Sequence, residues 1–137
     1  MPNVYLISST FSGDRPETGG DPSLVINENM SLLQAVGALV TQVNRQHHKP
    51  GTIDKLIIVG DSKKGHMIIG NGLTVSNVKT LAPIAPFLTP GRDRIGVEMI
   101  GFKISGEVAN RDLAEGVAKT LQTGVRADKE EFFAKKT

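Results

Sequence analysis

Apolar residues along the chain fall alternately into short continuous runs and into three- and four-residue spacing. Val4-Tyr5-Leu6-Ile7 is β-branched and aromatic enough to predict a buried strand. The stretch from Ser8 to Ser23 carries Gly13, Pro16, Gly19, Gly20 and Pro22 without apolar period and predicts a long loop, functional or mobile. Leu32, Leu33, Val36, Leu39, Val40 and Val43 then recur at helical spacing. Ser31 with Gln34 matches a capping box, so a helix is expected over about 31–47, ended by Pro50-Gly51. Lys55-Leu56-Ile57-Ile58-Val59-Gly60 is a continuous apolar run of the kind covered on both faces in a central parallel strand. A polar turn, 61–65, leads to a short strand over 66–70, which either pairs back as a hairpin or hangs off the sheet edge.

Ser76 is the expected N-cap of a further helix presenting Val78, Leu81, Ile84 or Ala85, and Leu88 inward. Pro83 and Pro86 predict a bend in it and an end before Pro90-Gly91. The run 95–101 reads as the next strand. A third helix is expected to begin near Asn110, to present Leu113, Ala114, Val117, Ala118 and Leu121 on one face, to carry a Glu115 to Lys119 pair, and to stop at Gly124. Val125-Arg126-Ala127 reads as a last short strand, and the tail 128–137, with Phe132-Phe133, as a docked turn or a frayed end. This alternation predicts a single α/β domain over 1–137 with a mainly parallel sheet, without repeat or linker. In such sheets ligands bind at the carboxyl ends of the strands, here the loops starting at Ser8, Asp61 and Phe102.

Composition narrows the chemistry more than the fold. A chain of 137 residues buries roughly two-thirds of the surface its unfolded form exposes, enough for one core. With 16 Lys+Arg against 14 Asp+Glu the formal charge is only +2, which is not the balance of a nucleic-acid-binding domain. Cysteine is absent, which excludes disulfides, thiolate metal sites and a cysteine nucleophile. The start of the chain has neither a basic segment nor an apolar run of signal length, and no stretch approaches the roughly 20 apolar residues of a membrane span, so a cytoplasmic protein without membrane contact is expected. Export by a route needing no signal peptide stays open.

The motifs that would carry chemistry are incomplete. Gly60-Asp61-Ser62-Lys63-Lys64-Gly65 has the glycine spacing of a phosphate loop, but His66-Met67 follows where Lys and Ser/Thr are required, and a strand follows instead of a helix. His47 and His48 are adjacent at a helix end and His66 is isolated, which is not metal-ligand spacing. Asp61, Ser62 and His66 lie close in sequence and form a hydrolase trio only if their side chains converge; otherwise the Asp bonds turn amides and the Ser fills a tight corner. No metal and no cofactor is expected.

The run from Leu56 to Gly70, LIIVGDSKKGHMIIG, followed after a helix by VEMIGFKISG over 97–106, resembles the core of caspase-like (clostripain-type) cysteine peptidase domains, most closely small bacterial members. The family pattern is an apolar strand ending in His-Gly, a glycine turn, a short strand, a helix, and a second apolar strand ending in Gly-Cys or Ala-Cys. The resemblance covers roughly residues 54–127. It implies a three-layer caspase-like domain, a mainly parallel sheet with helices on both faces. Matched position by position, the catalytic His falls on Asp61, its following Gly on Ser62, and the nucleophilic Cys on Phe102. An aspartate facing a phenylalanine supplies neither a thiol nucleophile nor a base paired with one.

The resemblance therefore implies a non-catalytic domain acting through a protein partner or as a homo-oligomer. Its binding crevice would involve Asp61, Ser62, Lys63, His66, Phe102 and Lys103, and Lys64 adds a further charge. Phe102 is either an exposed ring at a contact surface or a plug that adds core volume. A sheet edge near Val125 is the candidate for self-association. A hydrolase using Asp61, Ser62 and His66 is the alternative.

Overall fold

The computed structural model describes residues 1–134. Six strands form the main sheet: β1 (Val4–Ser8), β2 (Ser23–Ile26), β3 (Leu56–Val59), β7 (Ile95–Ile100), β8 (Gly124–Ala127) and β9 (Glu130–Phe132), in the order β2-β1-β3-β7-β8-β9. All neighbours run parallel except β8 and β9. Between β3 and β7 the chain makes an antiparallel meander of β4 (Asp61–Lys63), β5 (His66–Ile68) and β6 (Leu73–Thr74). The segment over 66–70 thus pairs back as a hairpin, in a sheet of its own. The chain is α/β with a mainly parallel sheet.

The helical parts are α1 (Leu32–Arg45), a 3-10 segment (Val78–Phe87) and α2 (Val108–Leu121). In α1 the Ser31 hydroxyl accepts from the Gln34 N–H at 3.1 Å while the Gln34 side chain accepts from the Ser31 N–H at 3.1 Å, so the capping box is complete. Ser76 does not cap the second helical segment. Asn77 stands at that position with no capping bond, its amide holding Thr74 N–H and the Gly72 carbonyl instead. Pro83 and Pro86 are accommodated by 3-10 winding over ten residues. Helix α2 begins two residues before Asn110. It ends where Gln122 turns left-handed (φ 55°), and Gly124, the expected stop, is the first residue of β8.

Strand alternation divides the sheet into two unlike faces. Val4, Leu6, Leu56, Ile58, Val97, Met99, Val125 and Ala127 join the buried faces of α1, the 3-10 segment and α2 in one core. Tyr5, Ile7, Ile57 and Val59 point the other way, where Phe11 and Ile100 pack on them. All three helical segments share the first face, so the expected helices on both faces are not found among the described residues. The residues of the second face explain this. Across β7, β8 and β9 it carries Glu98, Arg126 and Glu131 in direct register, with Arg126 bonded to Glu98 (3.4 Å) and Glu131 (2.8 Å) and Lys55 to Glu98 (3.0 Å). A charged ladder of this kind is stable facing water and costly under an apolar helix.

Two segments that periodicity does not mark as strands close the sheet. Ser23–Ile26 pairs with β1, and Gln42 of α1 meets its outer edge: the Gln42 amide accepts from Ser23 N–H at 2.7 Å and donates to the Ser23 carbonyl at 2.9 Å. At the other side, Asp128 and Lys129 both take positive φ (50° and 67°), the turn of a two-residue hairpin, and fold the tail back as β9. Phe132 is buried there and stacks under the Arg111 guanidinium at 5.7 Å. The strand near Val125 is consequently interior, and β9 is the edge. The last three residues of the expected tail, 135–137, lie outside the described residues. No described helix is long and apolar enough to cross a membrane.

Candidate functional site

Strands β3 and β7 are parallel neighbours that end in register, Val59 opposite Ile100, with Gly60 N–H donating to the Ile100 carbonyl at 3.0 Å. The chain therefore leaves the sheet twice at one place, as Gly60-Asp61 and as Gly101-Phe102. Gly101 has φ +89°, and a Cβ there would sit 2.5 Å from both the Gly60 carbonyl oxygen and the Phe11 ring. Only glycine permits that turn and that approach. It sends the Phe102 ring inward, where it is 1% exposed and belongs to the helical-face core. Phe102 is thus the plug of the two alternatives, and the exposed apolar ring is not formed.

Asp61 is half-buried and turned toward the first loop: its carboxylate accepts from Ser12 N–H at 3.1 Å and from the Ser12 hydroxyl at 2.7 Å. The order β2-β1-β3 means that β1 and β3 send the chain to opposite sides, and such a switch point opens a crevice at the strand ends. Here residues 11 and 12 fill it. Phe11 covers the apolar half of the second face and Ser12 ties the loop to Asp61. Part of the 8–23 loop is therefore packed onto the sheet.

Asp61, Ser62 and His66 do not converge. Ser62 pairs with Met67 across the β4–β5 hairpin and His66 pairs with Lys63, which puts Ser62 and His66 on opposite faces. The Ser62 hydroxyl accepts from Lys103 N–H at 3.2 Å. The His66 ring lies over Gly72, so close that a Cβ there would be 2.6 Å from it. Among the described residues Ser62 and His66 therefore do not stand as a nucleophile and its base.

The residues that do come together are Lys63, Lys64 and Lys103. They line an open groove of about 320 Å³ with Ser62, Ile104, Ser105, Glu107 and Asn110. Asn110, 5% exposed in the first turn of α2, holds its two walls: Oδ1 accepts from Gly65 N–H at 2.6 Å and Nδ2 donates to the Lys103 carbonyl at 2.7 Å. Sequence reasoning saw Asn110 only as a helix start. The available signal was its spacing, three residues before Leu113 and seven before Val117, a polar residue on an apolar stripe.

Asp128 fixes the far side of the same loop, accepting from Ile104 N–H at 3.0 Å and from the Ser105 hydroxyl at 3.3 Å. The Ile104 amide first, with the Ser105 groups and the Lys103 charge, holds its carboxyl below the usual carboxylate range, against partial desolvation. His47 (φ 60°) and His48 sit at the end of α1, with His48 bonded to Gln46. Among the described residues no three of His, Asp and Glu gather as metal ligands would. Comparison of the chain with family models, with curated proteins and with solved structures finds no match.

Proposed function

We propose that this chain is a caspase-like domain without peptidase activity, a pseudoenzyme that acts by binding a protein partner or by assembling with copies of itself. The observation that carries the reading is the pairing of positions 61 and 102. They follow the ends of two adjacent parallel strands, the positions at which the resembling family carries its His and its Cys, and they hold an aspartate bonded to Ser12 and a buried phenylalanine. With no cysteine in the chain there is no thiol at that place for Asp61 to assist, and the buried Phe102 ring offers no nucleophilic atom. The three-layer form of the family would here be reduced, with the segment around Phe11 and Ser12 standing in for the second helical layer.

The test is a peptide-library digest with purified protein, run beside light scattering over a range of concentrations. The expected outcome is no cleavage. A mass above that of the monomer points to self-assembly, and a persistent monomer points to a different protein as partner. Cleavage that Asp61→Ala or Ser62→Ala abolishes would overturn the reading.

A further inference from the structure

The two edges of the main sheet differ. At β2 the Gln42 side chain bonds both the N–H and the carbonyl of Ser23 and so occupies that edge. At β9, among the described residues, no side chain or other segment bonds the outer backbone groups of residues 130–134. A two-residue turn closes on a hydrogen-bonded pair, here Ala127 and Glu130. The alternation of the ladder therefore turns the N–H and carbonyl of Glu131, and of Phe133 one residue past the strand, away from β8. An edge left open in this way is a template for a further strand. Phe133 adds an aromatic ring, 41% exposed, that lies against Gly124 beside that edge.

The charges along this edge select the strand that fits it. Residues 130–136 read Glu-Glu-Phe-Phe-Ala-Lys-Lys, so Glu131 and Lys135 stand two residues either side of Phe133, and Glu130 and Lys136 three. An antiparallel strand reverses the order. A second copy set with its Phe133 opposite Phe133 therefore brings Glu131 to Lys135 and Glu130 to Lys136, each twice by symmetry. The neighbouring registers, centred on Glu131 or Phe132, instead set Glu131 against Glu131 or Lys129 against Lys135. Glu131 also ends a row of charges on the second face, Lys55, Glu98, Arg126, Glu131, that alternates in sign from strand to strand. A lysine from the next strand continues that alternation. We propose that two copies of the chain pair antiparallel through β9, about a two-fold axis at Phe133, and join their six-stranded sheets into one. Lys135 and Lys136, which follow the described residues, supply the second copy's charges. The proposal rests on the self-assembly arm of the function proposed above and names its surface.

The experiment is sedimentation velocity of the full chain over a range of concentrations. The mass should rise from one chain to two and stop there, because a two-fold pairing of this kind uses up both β9 edges. Lys135→Glu with Lys136→Glu, which makes the charged positions of the edge all acidic, should weaken the dimer roughly tenfold or more, from about a twofold effect at each of the four symmetric pairs. Lys49→Glu with Lys79→Glu, the same change at exposed lysines outside the edge, should leave it unaltered. Glu130→Lys with Glu131→Lys should also be monomeric alone, and an equimolar mixture of the acidic and basic variants should restore the dimer, which a loss of folding could not do. Circular dichroism checks each fold. Should the basic variant not fold, Phe133→Lys, which sets two lysines face to face on the axis, takes its place and should abolish the dimer. A monomer at every concentration, growth beyond the dimer, equal effects of the two lysine pairs, or folded acidic and basic variants that stay monomeric when mixed each overturn the inference. None of these outcomes touches the non-catalytic reading, which fails only through cleavage in the peptide digest.

Discussion

Asn110→Ala is the most informative single change, because one buried side chain joins the meander to the strand-end loop. The substitution removes hydrogen bonds of 2.6 and 2.7 Å and leaves Gly65 N–H and the Lys103 carbonyl without their partner. Each bond contributes about 1 kcal/mol net, and stranding two half-buried backbone groups adds to that, so a loss of about 2–3 kcal/mol is expected. For a chain of 137 residues the entropy of unfolding is about 0.3 kcal/mol/K, which turns that loss into a fall in Tm of about 7–10 °C. Tryptophan is absent, so urea and thermal unfolding are best followed by far-UV circular dichroism. The urea midpoint should fall with an unchanged slope. Asn110→Asp, which keeps the acceptor for Gly65 but loses the donor to Lys103, should lie between wild type and Asn110→Ala. Asp112→Ala, two residues on in the same helix and exposed, is the control. If Asn110→Ala costs no more than Asp112→Ala, or less than about 0.5 kcal/mol, Asn110 is not the clamp described here.

Two further outcomes are expected. Phe102→Ala should cost about 3–5 kcal/mol in urea unfolding, the value of a buried phenylalanine truncated in a packed core; a cost near zero would mean that the ring is exposed after all. Asp128→Asn should alter the acid limb of the stability curve. A carboxyl held lower in the folded chain than its unfolded value of about 3.9 contributes stability that is present above that pH and is lost as pH falls through the folded value. Wild type should therefore be the more stable protein near neutrality, and its advantage should shrink below about pH 4; a difference that stays constant from pH 7 to pH 2 refutes the bonding described for Asp128.

The local parts of this fold are written in local patterns. Ser31 and Gln34 cap α1 as their spacing requires, and the apolar runs of β1, β3 and β7 become the buried centre of the sheet, because cap geometry and strand burial depend on neighbours a few residues apart. The zero cysteine count excludes thiol chemistry from the sequence alone. Strands β2 and β9 are different. Each is three or four residues long, too short for a period to register, and each is a strand only because β1 or β8 offers it an edge.

The site depended still more on distant contacts. Sequence distance placed Asp61, Ser62 and His66 together, and the two-residue alternation of the hairpin put Ser62 and His66 on opposite faces. Phe102 read equally well as a contact and as a plug until the turn at Gly101 sent it into the core. Lys63 and Lys103 are forty residues apart and share a groove because β3 and β7 are neighbours and Asn110 bridges the loops that follow them. Sequence alone thus determined α1, α2, the central strands, the α/β class and the residue types available for chemistry, through interactions that span one turn or one strand. Which faces of those elements meet, which side chains are buried, and which charges share a surface were decided by the tertiary structure, because side-chain direction follows from pairing partners that the linear order does not contain.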